Sequence, residues 1–487
     1  MLLTDETLLN YKRCQRRAYL NVHGDIQAQD GESDFIIKLR QENRQHIDHY
    51  LDQLEQPWQK PSGEDLESLA ISTIDLMSQG VEIIYRPVLQ GELNQVALIS
   101  KPTLLVKYAA PSAWGPWSYY PIIIKLGRKA KSEYKLIAAF ASYLLGQIQE
   151  KISDHAMIIL HGHKTHRIIP AYWLEKLEDS LIRCSTILRD RQEPEVFISR
   201  QKCSLCSWQS HCYTIAQQNR HLSLLPGVTP QRFEYLQTIG IHSLEALATI
   251  TPQAISPDLG LSISHHLIQH AQATLSNQPL WKYSHHPNHI VKPLPQSAIE
   301  IYFDIEAEPV LGVDYLLGAL VIDRQGPTEQ FHGLLAKEPV QEREIWEQFL
   351  TLTKIHPQAP IFHFSGYEVD VIKRLGRLYQ TPRPIIQNLI DRCWDLHAYL
   401  TKFVVLPIEN YSLKTIASWM GFQWRDDAGN GAQSIYWYDQ WLKTENYQYL
   451  EFILTYNEDD CRATYCLKNW LDQFVQKHLP SFKDTLK

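Results

Sequence analysis

Two carboxylates stand two residues apart in the stretch Ile301-Tyr302-Phe303-Asp304-Ile305-Glu306. Its β-branched and aromatic residues predict a buried strand. Because side chains alternate along a strand, Asp304 and Glu306 should point to the same face. Two acids at one point of a buried strand are costly in a core and useful for a divalent metal ion. The alternative is an edge strand with solvated acids, since D-x-E is a short pattern, and acids elsewhere in the chain must decide.

Two later segments supply further acids. Glu368 lies where an apolar strand, beginning at Phe362, passes through a Ser-Gly turn into a predicted helix. Nearer the C-terminus, Tyr456 and Asp460 are four residues apart in a helix predicted to open near Leu454, so they share one face. Four carboxylates could hold two metal ions that bind the attacking and leaving oxygens of a phosphodiester. A tyrosine beside them could orient the attacking water.

Residues of about 296–475 resemble the RNase H-like 3′–5′ exonucleases of the DEDDy type. The family motifs D-x-E, N-x-x-x-F-D and Y-x-x-x-D fall on Asp304 and Glu306, on His363, Tyr367 and Glu368, and on Tyr456 and Asp460. The resemblance implies catalysis by Asp304, Glu306, Glu368, Tyr456 and Asp460. It also implies two Mg²⁺ or Mn²⁺ ions bound by the four acids.

The second motif departs from the family by carrying Glu368 where an aspartate is usual. Because of this departure, Asp370 is an alternative candidate for the third metal-binding acid. The spacing from Glu368 to the apolar residues that follow matches the family helix, so we favour Glu368 and expect Asp370 to be solvated. Glu458 and Asp459 are expected to be surface acids at a helix N-terminus, where the macrodipole favours them.

Composition describes a multidomain protein without membrane association. The 487 residues predict two to four domains, and 44% hydrophobic residues are ample for buried cores. No apolar run reaches the roughly eighteen residues of a membrane span, and the acidic opening lacks the features of a signal peptide. We therefore expect a cytoplasmic location. A net charge of −7 means that nucleic-acid binding must come from local basic patches.

Eight cysteines in such a chain argue against disulfides and for metal ligation by a clustered subset. Cys203, Cys206 and Cys212 have the spacing C-x2-C-x5-C, which supplies three thiolates from one segment. Cys14, in a basic helix near the N-terminus, is the candidate for the fourth ligand. The remaining cysteines are expected to be core thiols: Cys184, Cys393, Cys461 and Cys466.

One cysteine at the front and three at the end of residues 1–215 resemble the arrangement in iron–sulfur RecB-type nucleases. The resemblance implies a PD-(D/E)XK fold whose two ends are joined by a [4Fe-4S] cluster on Cys14, Cys203, Cys206 and Cys212. Zinc is the alternative, because four thiolates suit tetrahedral Zn²⁺ equally well.

The catalytic positions of that fold are altered in this chain. Thr103 stands where the family has an aspartate at a strand end, and Ile123 replaces the acid of the E-x-K strand, of which Lys125 is retained. An apolar side chain cannot bind a hard cation. We therefore expect a degenerate nuclease domain kept for DNA binding or scaffolding. In it, Lys125 and His46 would have structural or phosphate-contacting roles.

Residues of about 216–290 are predicted to be helical. Leu224-Leu225-Pro226-Gly227-Val228-Thr229 resembles the turn of a helix-hairpin-helix, in which Gly227 would let backbone N–H groups receive a DNA phosphate. The alternative is an ordinary αα-hairpin. The prolines of Asn277–Pro295 predict a linker into the exonuclease domain.

Lys414 lies in a segment that resembles the S-L-K helix start beside DEDD active sites, and it could contact a phosphate. An exposed helix lysine is the alternative. Four tryptophans flank a glycine-containing loop in the same region: Trp419, Trp424, Trp437 and Trp441. They could pack a core or stack on unpaired bases, and both interpretations stay open.

The sequence thus predicts a multidomain α/β protein. Its parts are a degenerate PD-(D/E)XK-like α/β domain at 1–215, a helical helix-hairpin-helix-like region with linker at 216–290, and an RNase H-like α/β exonuclease domain at 291–487. The expected function is metal-dependent 3′–5′ exonuclease activity on nucleic acid, with DNA favoured over RNA. The alternative is a catalytically silent iron–sulfur DNA-binding adaptor, although acids at all four exonuclease positions favour catalysis.

Overall fold

The computed structural model describes residues 1–282, 293–326, 328–426 and 429–483. The chain forms two compact units, Met1–Ile215 and Ala216–Lys487. Of the predicted linker Asn277–Pro295, residues 283–292 lie outside the described residues. No helix in the described ranges is both long enough and apolar enough to span a membrane.

The first unit combines two sheets with helices. Its strands are β1 Leu2–Thr4, β2 Trp58–Gln59, β3 Ile83–Tyr85, β4 Leu89–Leu93, β5 Val96–Ser100, β6 Leu104–Ser112, β7 Gly115–Ile124, β8 Ala156–Leu160 and β9 Lys164–Ile168. Its helices are α1 Asp5–Arg13, α2 Gln15–His23, α3 Asp34–Asp52, α4 Leu66–Ser78, α5 Ser132–Ile148, α6 Leu174–Arg189, α7 Arg200–Cys203 and α8 Gln209–Gln218, the last of which extends past Ile215. One sheet has the order β2-β3-β6-β7-β8-β9, and the other has the order β1-β5-β4.

Helix α5 forms the centre of the first core. It contacts strands of both sheets, namely β4, β5, β7 and β8. Ala138, Ala139 and Ala141 are fully buried, and these small side chains allow the helix to lie close to the strands. Leu144 and Leu145 then fill the remaining space. The pattern is that of a helix covered on most of its circumference.

The second unit begins with the residues predicted to be helical. They form α9 Pro230–Thr238, α10 Leu244–Thr249, α11 Pro252–Leu259 and α12 Leu261–Ser276. Further along are α13 Glu342–Ile355, α14 Tyr367–Leu378, α15 Arg383–Arg392, α16 Leu396–Phe403, α17 Leu413–Trp419, α18 Gly431–Thr444 and α19 Tyr447–Lys483. The strands are β10 Leu280–Trp281, β11 Ile299–Glu308, β12 Val313–Asp323, β13 Thr328–Leu335, β14 Ile361–His363, β15 Cys393–Asp395 and β16 Val404–Val405.

A five-stranded mixed sheet organises this unit, with the order β13-β12-β11-β14-β15. Strands β13, β12 and β11 are antiparallel neighbours, whereas β14 and β15 run parallel to β11. Strand β11 is central, and its residues Ile301, Tyr302 and Phe303 are buried. The strand predicted around 301–306 is confirmed. Helix α19 packs across β11 and β12 and so brings C-terminal residues to the middle of the sheet.

Candidate metal centre

Three acids meet where α19 crosses β11. Ligand oxygens of Asp304, Glu306 and Asp460 all lie within 4.8 Å of one another. We call these three residues the acid triad. Among the residues that the structure describes, no other group of three or more His, Cys, Asp or Glu side chains is gathered in this way. Alternation along β11 puts the first two on one face, as predicted.

The acid triad concentrates negative charge in a buried place. Burial and the neighbouring acids raise the pKa of Asp304 well above its usual range. Burial, followed by the charge of Asp460, raises the pKa of Glu306 to about 8. Burial also raises the pKa of Asp460 to about 6, although hydrogen bonds from Trp424 and Tyr456 limit the rise. Clustered carboxylate oxygens are ligands that Mg²⁺ and Mn²⁺ prefer, so the donor set fits such an ion.

Tyr456 lies one turn before Asp460 on α19, as the four-residue spacing predicts. Burial raises the pKa of its phenol, and the charges of Asp460, Glu306 and Asp304 raise it further. The phenol therefore keeps its proton at neutral pH. Its O–H donates a hydrogen bond to Asp460, so the phenol oxygen can accept a hydrogen bond from a water molecule placed among the acids.

Glu368 and its rival Asp370 have different surroundings. Glu368 is buried in the first turn of α14, and its charge contributes to the raised pKa of Asp304. Its carboxylate accepts a hydrogen bond of 2.9 Å from the Ser365 hydroxyl and lies 3.4 Å from His363 Nδ1. Asp370 is 79% exposed and faces Lys373 at 3.9 Å. The structure therefore places Glu368 beside the acid triad but turned towards other partners, and Asp370 in solvent.

Protonated His363 forms an ion pair with Glu368. Burial alone would lower its pKa, but hydrogen bonds with Cys393 and Glu368 outweigh burial and raise the pKa of His363 to about 10. Its Nδ1 also lies 2.6 Å from the carbonyl oxygen of Ser365. The charged imidazole keeps Glu368 near the end of β14.

The prediction that Asp459 is a surface acid is wrong. Helix α19 begins at Tyr447, so Glu458 and Asp459 lie in its interior rather than at its N-terminus. Asp459 is 3% exposed, and its carboxylate accepts hydrogen bonds of 2.8 Å from the backbone N–H and the Nε of Arg425. Glu458 is half-buried and pairs with Arg425 and Arg462. The partner lies 34 residues upstream, beyond the reach of any local pattern.

Two residues that the sequence did not single out as site residues donate hydrogen bonds to the acid triad. Trp424 Nε1 donates to Asp460 Oδ1 at 2.8 Å, and Asn457 Nδ2 donates to Asp304 Oδ2 at 2.7 Å. Trp424 is buried, which favours the core interpretation for it. Trp437 and Trp441 are also buried. Asn457 directly follows the motif residue Tyr456, and this position is the one sequence signal that could have indicated its contact with the acids.

Lys414 binds the backbone of Gly429, which lies against Tyr456 near the acid triad. Its Nζ donates to the carbonyl oxygen of Gly429 at 2.9 Å. A side chain added at Gly429 would come within 2.8 Å of the Tyr456 ring, so glycine lets the loop lie against the tyrosine. The lysine thus has a positioning role in the structure, and a phosphate contact stays a prediction.

The four cysteines predicted as metal ligands line one small cavity of about 30 Å³, together with Trp208 and several basic residues. Cys14 separates α1 from α2, and Cys203, Cys206 and Cys212 lie between the start of α7 and the middle of α8. Burial raises the pKa of all three later thiols, that of Cys212 to about 11. Within the described part of the chain, no three of these sulfur atoms lie within 4.8 Å of one another, so no cluster site is evident.

The other predicted contacts have ordinary surroundings. Lys125 directly follows β7, where burial lowers its pKa and the charge of Asp5 offsets part of the effect. Ile123 is buried, and Thr103 Oγ1 accepts a hydrogen bond from the backbone of Ile124. Gly227 precedes α9 with φ +87°, a left-handed value that favours glycine.

Comparison with known proteins is consistent with this geometry. A family model described as the RNase H superfamily matches residues 301–472. No curated protein matches the chain. The matched segment includes residues of all five strands of the mixed sheet, most of α19 and all three members of the acid triad. Residues 301–472 therefore form an RNase H-like domain within a multidomain α/β protein.

Proposed function

We propose that this protein is a metal-dependent nuclease that hydrolyses phosphodiester bonds as a 3′–5′ exonuclease, with DNA as the favoured substrate. The observation that supports it is the acid triad, whose oxygens lie within 4.8 Å of one another in an RNase H-like domain. An RNase H-like domain implies a nucleic-acid substrate. Bound Mg²⁺ or Mn²⁺ would neutralise the phosphate and lower the pKa of a water molecule.

Each residue near the acid triad has a role in this proposal. Asp304, Glu306 and Asp460 would hold a divalent metal ion, and Glu368, now bonded to Ser365, would be a further ligand. Tyr456 would keep its proton in the hydrogen bond to Asp460 and would orient the attacking water by accepting a hydrogen bond from it. Lys125, Gly227 and Lys414 remain predicted contacts to the nucleic-acid backbone.

The test is a cleavage assay of the full-length protein on end-labelled single strands, duplexes and RNA, with Mg²⁺ or Mn²⁺ and with EDTA. We expect metal-dependent release of mononucleotides from a 3′-labelled strand and progressive shortening of a 5′-labelled one. Asp304→Asn and Asp460→Asn should abolish both. A matched control is Asp391→Asn, a change on α15 outside the acid triad. Full activity of either triad variant would refute the assignment.

A second candidate concerns the four-cysteine cavity in the first unit. We propose that Cys14, Cys203, Cys206 and Cys212 bind an iron–sulfur cluster that joins the ends of a RecB-like domain. The supporting observation is that residues from both ends of the unit line one cavity. Zinc stays the alternative, because four thiolates also suit a tetrahedral Zn²⁺ ion. If the acids prove inactive, this cavity supports the alternative of a silent DNA-binding adaptor.

Anaerobic purification tests this second candidate. Iron and acid-labile sulfide should copurify with the full-length protein, and both should be lost in Cys203→Ser. Cys184→Ser, at a buried thiol away from the cavity, is the control and should keep them. Stoichiometric zinc without iron would reject the cluster.

A further inference from the structure

Asn457 is fully buried on α19, one residue after Tyr456. Its Nδ2 donates to Asp304 Oδ2 at 2.7 Å, and the same amide hydrogen-bonds Glu306. Its Oδ1 is buried and has no hydrogen-bond partner. Buried polar groups are normally satisfied, so an unsatisfied one calls for an explanation. The Asn457 amide therefore hydrogen-bonds two acids, while its own carbonyl oxygen receives no hydrogen bond.

The orientation of this amide is fixed by chemistry. A carboxylate that holds a cation is ionised and only accepts hydrogen bonds, so in the metal-bound protein the NH₂ group of Asn457 must face Asp304, as it does here at 2.7 Å. The carbonyl oxygen must then face the opposite side, where Gly318 lies on β12. Gly318 is the antiparallel partner of Asp304 in the sheet. The side-chain amide thus lies over one strand pair, with an acid on one side and a glycine on the other.

Gly318 provides the space that this arrangement requires. A Cβ atom added there would overlap Asn457 Oδ1. Gly318 lies inside β12, and its φ is outside the left-handed region, so conformation does not demand glycine at this position. One turn further along α19, the Cys461 thiol contacts the Gly318 carbonyl at 3.6 Å. Close approach of α19 to the sheet therefore depends on the missing side chain.

We propose that Asn457 is a positioning residue that fixes Asp304 and Glu306 for a divalent cation, and that Gly318 is required because it leaves room for the Asn457 amide. The proposal deepens the proposed function and rests on it. A neutral amide reduces the repulsion between two carboxylates without adding positive charge. A lysine or arginine at this position would compete with the cation for the acids.

The first experiment measures Mn²⁺ affinity of the full-length protein by calorimetry, with thermal unfolding in EDTA and in Mn²⁺ alongside. Asn457→Ala should bind Mn²⁺ about 10- to 100-fold more weakly, the usual loss when a residue that orients metal ligands is removed. The gain in Tm on adding Mn²⁺ should shrink accordingly. Asn469→Ala is the matched control: this asparagine is on the same helix and bonds Arg324 instead of the acids. It should keep wild-type affinity.

The second experiment tests Gly318 without changing any polar group. Gly318→Ala should weaken Mn²⁺ binding because the new methyl displaces the Asn457 amide. In the Asn457→Ala background the same change should have little further effect, because the space is then free. Such non-additivity is the expected sign of two residues that act through one contact. Equal losses in both backgrounds would refute the role of Gly318.

Asp304→Asn distinguishes a failure of the proposed metal centre from a failure of the role proposed for Asn457. If Asp304→Asn abolishes Mn²⁺ binding and Asn457→Ala leaves the affinity within twofold of wild type, the metal centre stands and the role of Asn457 is overturned. If Asp304→Asn leaves Mn²⁺ binding unchanged, the proposed metal centre itself fails. A lower Tm of Asn457→Ala by the same amount with and without Mn²⁺, at unchanged affinity, would mean that the residue is only structural.

Discussion

Glu306→Gln should stabilise the metal-free protein while removing the proposed nuclease activity. Burial and Asp460 raise the pKa of Glu306 to about 8, from an ordinary value of 4.5. At pH 7 the unfolded chain has released this proton, but the folded chain keeps it. With about 1.4 kcal/mol per pKa unit, the 2.5 units between 4.5 and 7 cost the fold about 3 kcal/mol. Glutamine carries no charge and removes this cost.

The contribution of Glu306 to the free energy of unfolding depends on pH. The pKa of Glu306 is higher in the folded than in the unfolded state, so the stability it contributes is complete below about pH 4.5. This contribution is lost as the pH rises towards about 8. Asp304 and Asp460 compete for the same protons, which makes about 3 kcal/mol an upper figure. The variant should therefore gain little at pH 5 and most at pH 8.

Thermal unfolding in EDTA at several pH values measures this gain. A stabilisation of about 3 kcal/mol corresponds to roughly 6–12 °C in Tm for a unit of this size. Adding Mg²⁺ should raise the Tm of the wild type far more than that of Glu306→Gln. The control is Glu347→Gln, at a 59% exposed carboxylate paired with Arg343, which should change the Tm by a degree or two at most. A Glu306→Gln variant that is less stable than wild type in EDTA at pH 8 would show that the buried Glu306 carboxylate does not destabilise the metal-free fold.

Glu368→Ala should abolish cleavage of end-labelled DNA and Asp370→Ala should leave the rate unchanged, because only Glu368 is buried beside the acid triad; the reverse result would exchange their roles. Lys125→Ala should leave the cleavage rate nearly unchanged, and a loss above about tenfold would place chemistry in the first unit. Glu300→Ala should lower the free energy of unfolding in urea by about 3 kcal/mol, because Lys468 loses a buried partner at 2.9 Å. This loss is at the low end of the range for breaking a buried ion pair, because Lys468 keeps its ion pair with Asp472. A change below about 1 kcal/mol would show that the pair is dispensable.

Local periodicity predicted the parts of the site that depend on neighbouring residues. Alternation along one strand placed Asp304 and Glu306 together, and the four-residue repeat of a helix placed Tyr456 beside Asp460. Neither placement depends on the rest of the fold. The same holds for Glu368, whose helix start was visible in the sequence.

Sequence patterns failed where the decisive partner is distant. The burial of Asp459 depends on Arg425, and the role of Asn457 depends on a glycine in β12. The helix start at Tyr447 was also missed, because the residues before 454 were not recognised as helical. Capping, burial and charge pairing at these positions arise only after α19 has packed on the sheet.

The same packing explains how the acid triad is held together against its own repulsion. Glu300 lies four residues before Asp304 on β11, about 13 Å along the strand, and Lys468 lies eight residues after Asp460 on α19, about 12 Å along the helix. Since these spans match and the two elements run in opposite directions, the Glu300–Lys468 ion pair, buried at both ends, fixes the register that brings Asp304 to Asp460. Its attraction acts between the two elements that the acids push apart. If the acid triad holds Mn²⁺ as proposed, loss of Glu300 should weaken Mn²⁺ binding in calorimetry as well as the fold, although the Glu300–Lys468 pair does not contact the metal.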